Sequence, residues 1–530
     1  MASTDAHTVT PTQPVPAPPC TVVIFGAVGD LTKRLLIPAI YNLAGSHLLD
    51  DSFQIVGADH NVRTADTWRA ELLSALQAFT NDASAEFHPD HIDEATWAWV
   101  AKRIDYSVFD FEHSGDYTKL KERLTKSLSG GNVIFYLAVS ARFFGTIVDG
   151  LGTAGLLEES EGIFRRVVIE KPFGSDLPSA RELNARILKV AAERQIFRID
   201  HFLGKEPVQG IMALRFGNGI FEPMWRRENV DSVQITAAET IGVEHRGSFY
   251  EPTGALRDMV PNHLFSLLTM IAMEAPTSFD AESVRNEKAK LVEAIRPLRS
   301  TNAARGQYAA GVLNGNSVSA YRDENRVAQD SRTETYAALN VQIDNGRWSG
   351  VPFYLRTGKR LARHLTTIAI HFRPAPQQFF PSEPELATAA MNTLTLGIAP
   401  DPGITTQFRA KAPGPLMHLG LARSTFAYDQ YFDEKPRVGY ETLLYHCMHG
   451  DTLLFQRADM VEASWAAVQP LLGEWASSQD APATYAPGSD GPPLADEMLA
   501  RDGRKWLPLK PAGAVRLRPD SPPSLAKEIS

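Results

Sequence analysis

With 530 residues, 44% of them hydrophobic and 22% charged, the chain exceeds one hydrophobic core, so two domains of ordinary globular composition are expected. A net charge of -9 argues against a nucleic-acid partner held through a basic face, although local clusters can still attract a small anion. Only two cysteines, Cys20 and Cys447, occur, which excludes a disulfide framework and a cysteine metal site and points to a reducing compartment, best the cytoplasm.

Residues 1–20, MASTDAHTVTPTQPVPAPPC, lack the basic and apolar regions of a signal peptide or membrane anchor and read as a disordered tail. No run is long and apolar enough to span a bilayer, so no membrane partner is expected. TVVIFGA (21–27) is a strand pattern ending in glycine. LTKRLLIPAIYNLAGSHLL (31–49) follows with apolar residues at helical spacing. FQIVGAD (53–59), NVIFYLAVS (132–140) and FRRVVIEKPFG (164–174) are further strand patterns, and helical stretches such as DTWRAELLSALQAFT separate them. This β/α alternation over 21–200 predicts a Rossmann-type doubly wound parallel sheet.

Beyond about residue 205, DSVQITAAET, TYAALNVQIDN, TTIAIHF and NTLTLGIAP alternate apolar and polar residues. They predict a large antiparallel sheet whose buried face is covered by the helical segments 255–275 and 458–476. The second unit, an α+β domain for substrate binding and oligomerisation, is expected over 201–515, with a loose tail over 516–530. The charged string RIDHFLGKE (198–206) falls at the junction, where active sites are favoured.

In GAVGDLTKR (26–34) the glycines Gly26 and Gly29 sit between a strand and a helix, so the backbone can approach a pyrophosphate at the helix N-terminus. An ordinary glycine-bearing βα turn would look the same. The second strand ends GADHNVR, offering Asp59, which suits the ribose 2′-hydroxyl of NAD, with His60 and Arg63 beside it, the latter suited to the 2′-phosphate of NADP. Both cofactors stay open on this reading. EKPFG carries Lys171 at a strand's carboxyl edge, where ligands of open α/β sheets bind, or else at an ordinary surface turn.

LRDMVPNHLFSLL (256–268) places Asp258, Asn262 and His263 in or before an apolar helix; Pro261 is tolerated in a first turn, which predicts a helix start near Asp258. A lone histidine there is more often a hydrogen-bonded core residue than a catalyst. VPFYLRTGKRLARH (351–364) gathers Arg356, Lys359, Arg360, Arg363 and His364, either a cationic cluster for a phosphorylated substrate or a solvated basic loop.

These strings, in this order, resemble the glucose-6-phosphate dehydrogenases from about residue 21 to 515. GAVGDLTKR is similar to that family's GxxGDL dinucleotide turn, which brings Asp30 and Leu31 into the cofactor set with Gly26, Gly29 and Lys171. EKPFG and RIDHFLGKE resemble its most characteristic strings, and ALRDMVPNH its catalytic-histidine helix. The resemblance implies oxidation of glucose 6-phosphate at C1 to 6-phosphoglucono-δ-lactone, the first step of the oxidative pentose phosphate pathway. It implies hydride transfer to NADP, with NAD or dual use also open, without a metal and in a homodimer or homotetramer.

It further implies His263 as general base, Asp200 orienting the imidazole, and His201 and Lys205 on the substrate phosphate. Glu239 and Asp258 would accept from sugar hydroxyls, Lys359 would add a substrate contact, and Lys171 would lie between cofactor and sugar. The chain departs from the family pattern at Phe202, where a tyrosine is usual, at Pro261 and Ala399, where glutamines are usual, and at Ser140-Ala141, where prolines are usual. His60 stands where the family places an arginine for the 2′-phosphate, and Asp59 before it is expected to repel that group. Two rival readings are a non-catalytic paralogue that binds nucleotide or sugar phosphate, and the same chemistry on another hexose phosphate. The intact Asp200, His201, Lys205 and His263 set disfavours the former.

Overall fold

The computed structural model describes residues 14–510 apart from 83–85, 88, 127–130, 314, 376, 378, 380–391, 418 and 433–438. Residues 511–515 of the expected second unit and the expected tail 516–530 lie outside the described residues.

The short apolar runs of the first 200 residues form one sheet whose central strands β1 (Thr21–Phe25), β2 (Gln54–Asp59) and β4 (Val133–Leu137) are buried on both faces, as strands flanked by helices must be. Strands β1 (Thr21–Phe25), β2 (Gln54–Asp59), β3 (Ile104–Val108), β4 (Val133–Leu137), β5 (Arg165–Ile169) and β6 (Ile196–Arg198) lie in the order β3-β2-β1-β4-β5-β6. All pairings are parallel. This is the doubly wound dinucleotide-binding order, whose direction reverses between β1 and β4. Strand β3, IDYSV, alternates buried and open positions at the sheet edge, and β6 has three residues. Neither carries the continuous apolar signal that marks β1, β2, β4 and β5.

Residues 14–20 differ from the loose tail expected there. Ala17 and Cys20 are buried, the Ala17 amide donates to the Leu48 carbonyl, and the Tyr445 hydroxyl donates to the Val15 carbonyl. A proline-rich segment packs here because its few apolar side chains find a groove, which composition does not reveal.

The second half builds a nine-stranded sheet from β7 (Val230–Ala238), β8 (Ala303–Tyr308), β11 (Tyr336–Val341), β12 (Phe353–Gly358), β13 (Leu365–Phe372), β14 (Thr393–Ala399), β15 (Gly403–Lys411), β16 (Leu419–Ala427) and β17 (Ala483–Tyr485). The small hairpin of β9 (Gly311–Leu313) and β10 (Asn316–Val318) stands apart. The spatial order is β16-β15-β14-β13-β7-β12-β11-β8-β17. Pairing is antiparallel except between β7 and β12 and between β8 and β17. Helical segments, Gly254–Ala272 among them, pack against β7, β11 and β12. No helix among the described residues is long and apolar enough to cross a membrane.

That segment corrects one expectation. The helix begins at Gly254, not near Asp258, and passes through a π-helical turn at Val260–Leu264 before resuming as Phe265–Ala272. Pro261 has no N–H for the carbonyl four residues back, and the wider turn relieves the clash of its ring with that carbonyl. The orphaned Arg257 carbonyl accepts from the Asn262 side-chain amide at 3.3 Å, with the Asp258 carbonyl at 3.4 Å.

Candidate active site

The parallel sheet ends in two loops that matter. At the β1 end, Gly26 has φ +84°, and a Cβ there would lie 2.3 Å from the Ala138 carbonyl oxygen at the end of β4. Glycine is therefore required where the chain crosses the β1/β4 reversal. The Gly29 amide donates to the Gly26 carbonyl, Thr32 Oγ1 donates to the same oxygen at 3.1 Å, and a helical segment opens at Asp30. Leu31 packs partly buried against the core, while Asp30 pairs with Arg34 at the surface. The turn leaves backbone room beside a helix N-terminus, as a dinucleotide pyrophosphate needs.

Asp59 at the end of β2 is 5% exposed and its carboxylate is turned into this loop. Oδ2 accepts from the Val28 amide at 3.2 Å, and Oδ1 accepts from the Asn61 amide at 3.1 Å and its side chain at 2.7 Å. His60 projects outward, 76% exposed. Arg63 Nε is 2.7 Å from Glu71 Oε1, and Lys33 stands 4.0 Å from the same carboxylate.

At the same carboxyl edge, the outermost strand β6 delivers RIDHFLGKE to the seam between the two sheets. Arg198 is buried on Glu193 and Asn184, so the first charge of the string is architectural. The Ile199 amide continues the pairing with β5, which fixes Asp200 one residue beyond the sheet. Gly204 has no room for a side chain, since a Cβ would meet the Gly439 carbonyl oxygen at 2.2 Å. That close approach seats Tyr440 with its ring parallel to His201, 6.2 Å between centroids.

Asp200 and His263 are each 1% exposed, and His263 Nδ1 lies 2.6 Å from Asp200 Oδ1. The same oxygen accepts from the Phe202 amide at 3.0 Å, and Oδ2 accepts from Ser266 Oγ at 2.5 Å. Burial alone would raise the Asp200 pKa, but the charge and hydrogen bond of His263 hold it well below the carboxylate range. Burial depresses the His263 pKa and Asp200 opposes that, leaving the imidazole below its ordinary value. Phe202 stacks on the His263 ring, 4.3 Å between centroids and 14° between planes, and His201 meets the ring edge-on at 4.6 Å. Burial, then the neighbouring His263, Lys205 and Lys171, keep His201 well below its usual pKa.

Around this pair stand the other expected residues. Lys171 Nζ donates to Asp258 Oδ1 at 2.9 Å, Lys205 Nζ sits 4.7 Å from the Phe202 ring centre, and Lys359 Nζ donates to Glu239 Oε2 at 2.6 Å. Burial would raise the Asp258 pKa, yet Lys171, then Lys359 and His263, hold it well down. Five cationic or imidazole groups, His201, His263, Lys171, Lys205 and Lys359, and three carboxylates, Asp200, Asp258 and Glu239, thus converge on the seam. The basic run 351–364 does not act as one cluster. Arg356 is buried in β12 on Thr236 Oγ1 and the Leu507 carbonyl, Arg360 lies near Glu244 and Glu324, and Arg363 pairs with Asp401. Of that run, Lys359 alone reaches the seam through its pair with Glu239.

The ligand atoms of Asp200, His201 and His263 lie within 4.8 Å of one another, a spacing that could hold a cation. Both Asp200 oxygens already accept from Ser266, Phe202 and His263, so the charge there has internal partners. Sequence reasoning missed Ser266, three positions after His263 on the same helical segment, although that spacing signals a shared face. It also missed Glu170, which is buried, accepts from Tyr136 at 2.5 Å, and has its pKa raised by burial. Glu170 declares itself only when the separate strands that carry it and Tyr136 meet.

The comparisons agree with this geometry. Residues 23–210 match the NAD binding domain of glucose-6-phosphate dehydrogenase, and 212–507 match its C-terminal domain. A glucose-6-phosphate 1-dehydrogenase of Chlamydia pneumoniae is 41% identical over 507 residues, covering 94% of this chain and 97% of that protein. The Mycolicibacterium smegmatis enzyme is also 41% identical, over 93% of this chain and 98% of its own length. A glucose-6-phosphate dehydrogenase solved in complex with its substrate glucose-6-phosphate superposes with TM-score 0.83 at 31% identity, over 93% of this chain and 99% of that one. A doubly wound sheet joined to a nine-stranded sheet, with an acid–imidazole pair in the seam, and this likeness across both halves have one reading: the chain belongs to the glucose-6-phosphate dehydrogenase family.

Proposed function

We propose that the protein oxidises glucose 6-phosphate at C1 to 6-phosphoglucono-δ-lactone, with hydride transfer to NADP+ or NAD+. The buried 2.6 Å contact between His263 Nδ1 and Asp200 carries this reading. With Nδ1–H donating to the carboxylate, Nε2 holds a lone pair and accepts the proton of the C1 hydroxyl, while Asp200 stabilises the imidazolium that forms. The nicotinamide ring, when bound, supplies the acceptor for the C1 hydride. His201 and Lys205 hold the phosphate, Glu239 and Asp258 accept from sugar hydroxyls, and Lys359 adds a sugar contact. Lys171 stands between sugar and cofactor.

Gly26, Gly29, Asp30 and Leu31 form the pyrophosphate turn. The Asp59 carboxylate is turned to the Val28 and Asn61 amides rather than outward, which leaves the exposed His60, with Arg63 beyond it, to meet a 2′-phosphate. NADP+ is therefore the favoured cofactor, with NAD+ accepted. Residues 21–200 form the nucleotide unit and 201–515 the substrate unit of a cytoplasmic homodimer or homotetramer. Self-association through the large sheet is supported by β15 and β16, in which no residue is buried and Phe408 is exposed.

Initial rates of nicotinamide reduction test the assignment, using glucose 6-phosphate, free glucose and other hexose 6-phosphates with each nucleotide. Glucose 6-phosphate with NADP+ is expected to give the highest kcat/KM. Folded protein that reduces neither nucleotide with any sugar would overturn it.

A further inference from the structure

Asp200 is held from behind by a hydroxyl that is itself held. Ser266 is 4% exposed, and its Oγ donates to Asp200 Oδ2 at 2.5 Å. Gln456 Nε2, from the loop before the helix Ala458–Ser477, donates to Ser266 Oγ at 3.0 Å. An amide N–H occupies a lone pair of that oxygen, so the hydroxyl proton is directed at the carboxylate. The loop is placed by backbone pairing, since the Gln456 amide donates to the Arg198 carbonyl at 3.1 Å, two residues before Asp200. One short bridge therefore ties Gln456 to the segment that carries Asp200, the third member of the chain Gln456, Ser266, Asp200, His263.

We infer that Ser266 and Gln456 are positioning residues that set the basicity of His263 through Asp200. The inference rests on the proposed role of His263 as the base. The Ser266 proton draws negative charge towards Oδ2 and away from Oδ1, the oxygen that faces the imidazole. It thereby limits how strongly the carboxylate stabilises imidazolium and keeps the base neutral to lower pH. The other groups facing this pair are His201, Lys171, Lys205, Asp258, Lys288 and the Tyr440 hydroxyl. None of them donates to Oδ2 in the hydrogen bonds seen among the described residues.

The test is the pH profile of kcat/KM for glucose 6-phosphate in Ser266→Ala, Gln456→Glu and Gln456→Leu. Without the hydroxyl, the Asp200 charge is less shared and imidazolium is favoured, so the acid limb of Ser266→Ala moves to higher pH by about one unit. Gln456→Glu, whose carboxylate takes the serine proton and adds charge, moves it at least as far. Gln456→Leu, which only frees the hydroxyl to rotate, moves it in the same direction by less. Should Ser266→Ala not fold, the two variants of the half-buried Gln456 carry the test. Histidine-selective ring NMR reads the same shift without turnover, with His263 assigned by its loss in His263→Asn. A His263 titration unchanged from wild type in Gln456→Glu, or moved to lower pH, overturns the inference. A wild type that titrates as described yet reduces no nucleotide counts against the proposed reaction instead.

Discussion

The chain contains the dipeptide Asp-His twice at the carboxyl edge of its parallel sheet, as Asp59-His60 after β2 and Asp200-His201 after β6, and the two have different fates. Both aspartates are buried. Asp59 spends its carboxylate on amides of its own neighbourhood, which shapes a loop, and its histidine faces water. Asp200 receives an imidazole from a helix 63 positions later and a hydroxyl from the same helix, and its histidine is shielded beside that imidazole. The identity of a charged residue thus says little about its task. What decides is which donors the fold brings to its oxygens.

Exchanging each aspartate for its amide breaks the comparison open. Asp200→Asn leaves His263 without its counter-charge and is expected to lower kcat about 10²- to 10⁴-fold, measured at saturating glucose 6-phosphate. Asp59→Asn keeps the size of the loop rivet and removes its charge. It should raise KM for NADP+ and NAD+ alike, by up to about tenfold, with kcat nearly unchanged. A change in the ratio of the two nucleotides would instead mean that the carboxylate faces the ribose.

The smallest effect concerns stability. Lys288 is 1% exposed behind the seam, donates to the Leu453 carbonyl at 3.1 Å, and is pushed down to about 8 chiefly by burial. Its folded pKa lies below its unfolded value, so the unfolded chain binds more protons between about pH 8 and 10. The charged form therefore penalises the fold below pH 8, and the penalty fades as pH rises through that window. Lys288→Met should raise the melting temperature by a few degrees at neutral pH, corresponding to about 2 kcal/mol, with the gain shrinking towards pH 10. Equal gains at both pH values would show that packing, not charge, is responsible.

Much of this was legible in the sequence because local signals carried it. The central strands β1, β2, β4 and β5 each carry a contiguous apolar run, and GAVGD and RIDHFLGKE are contiguous strings at strand ends. Strand β12 was obscured because its arginine, Arg356, reads as surface charge yet is buried against Trp506. The π-helical turn was hidden because a proline in an apolar run is equally compatible with a first turn. The destination of Asp59 and the Ser266–Gln456 bridge depend on pairings between segments up to 190 positions apart, which no window of sequence displays.

The most direct test of the account is turnover by His263→Asn at saturating glucose 6-phosphate and nucleotide, with binding of the sugar phosphate measured alongside. Removal of the base is expected to lower kcat about 10²- to 10⁴-fold while sugar-phosphate affinity stays within a few-fold of wild type. Turnover near the wild-type rate would contradict it, because the buried Asp200–His263 pair would then hold the seam together without moving the proton.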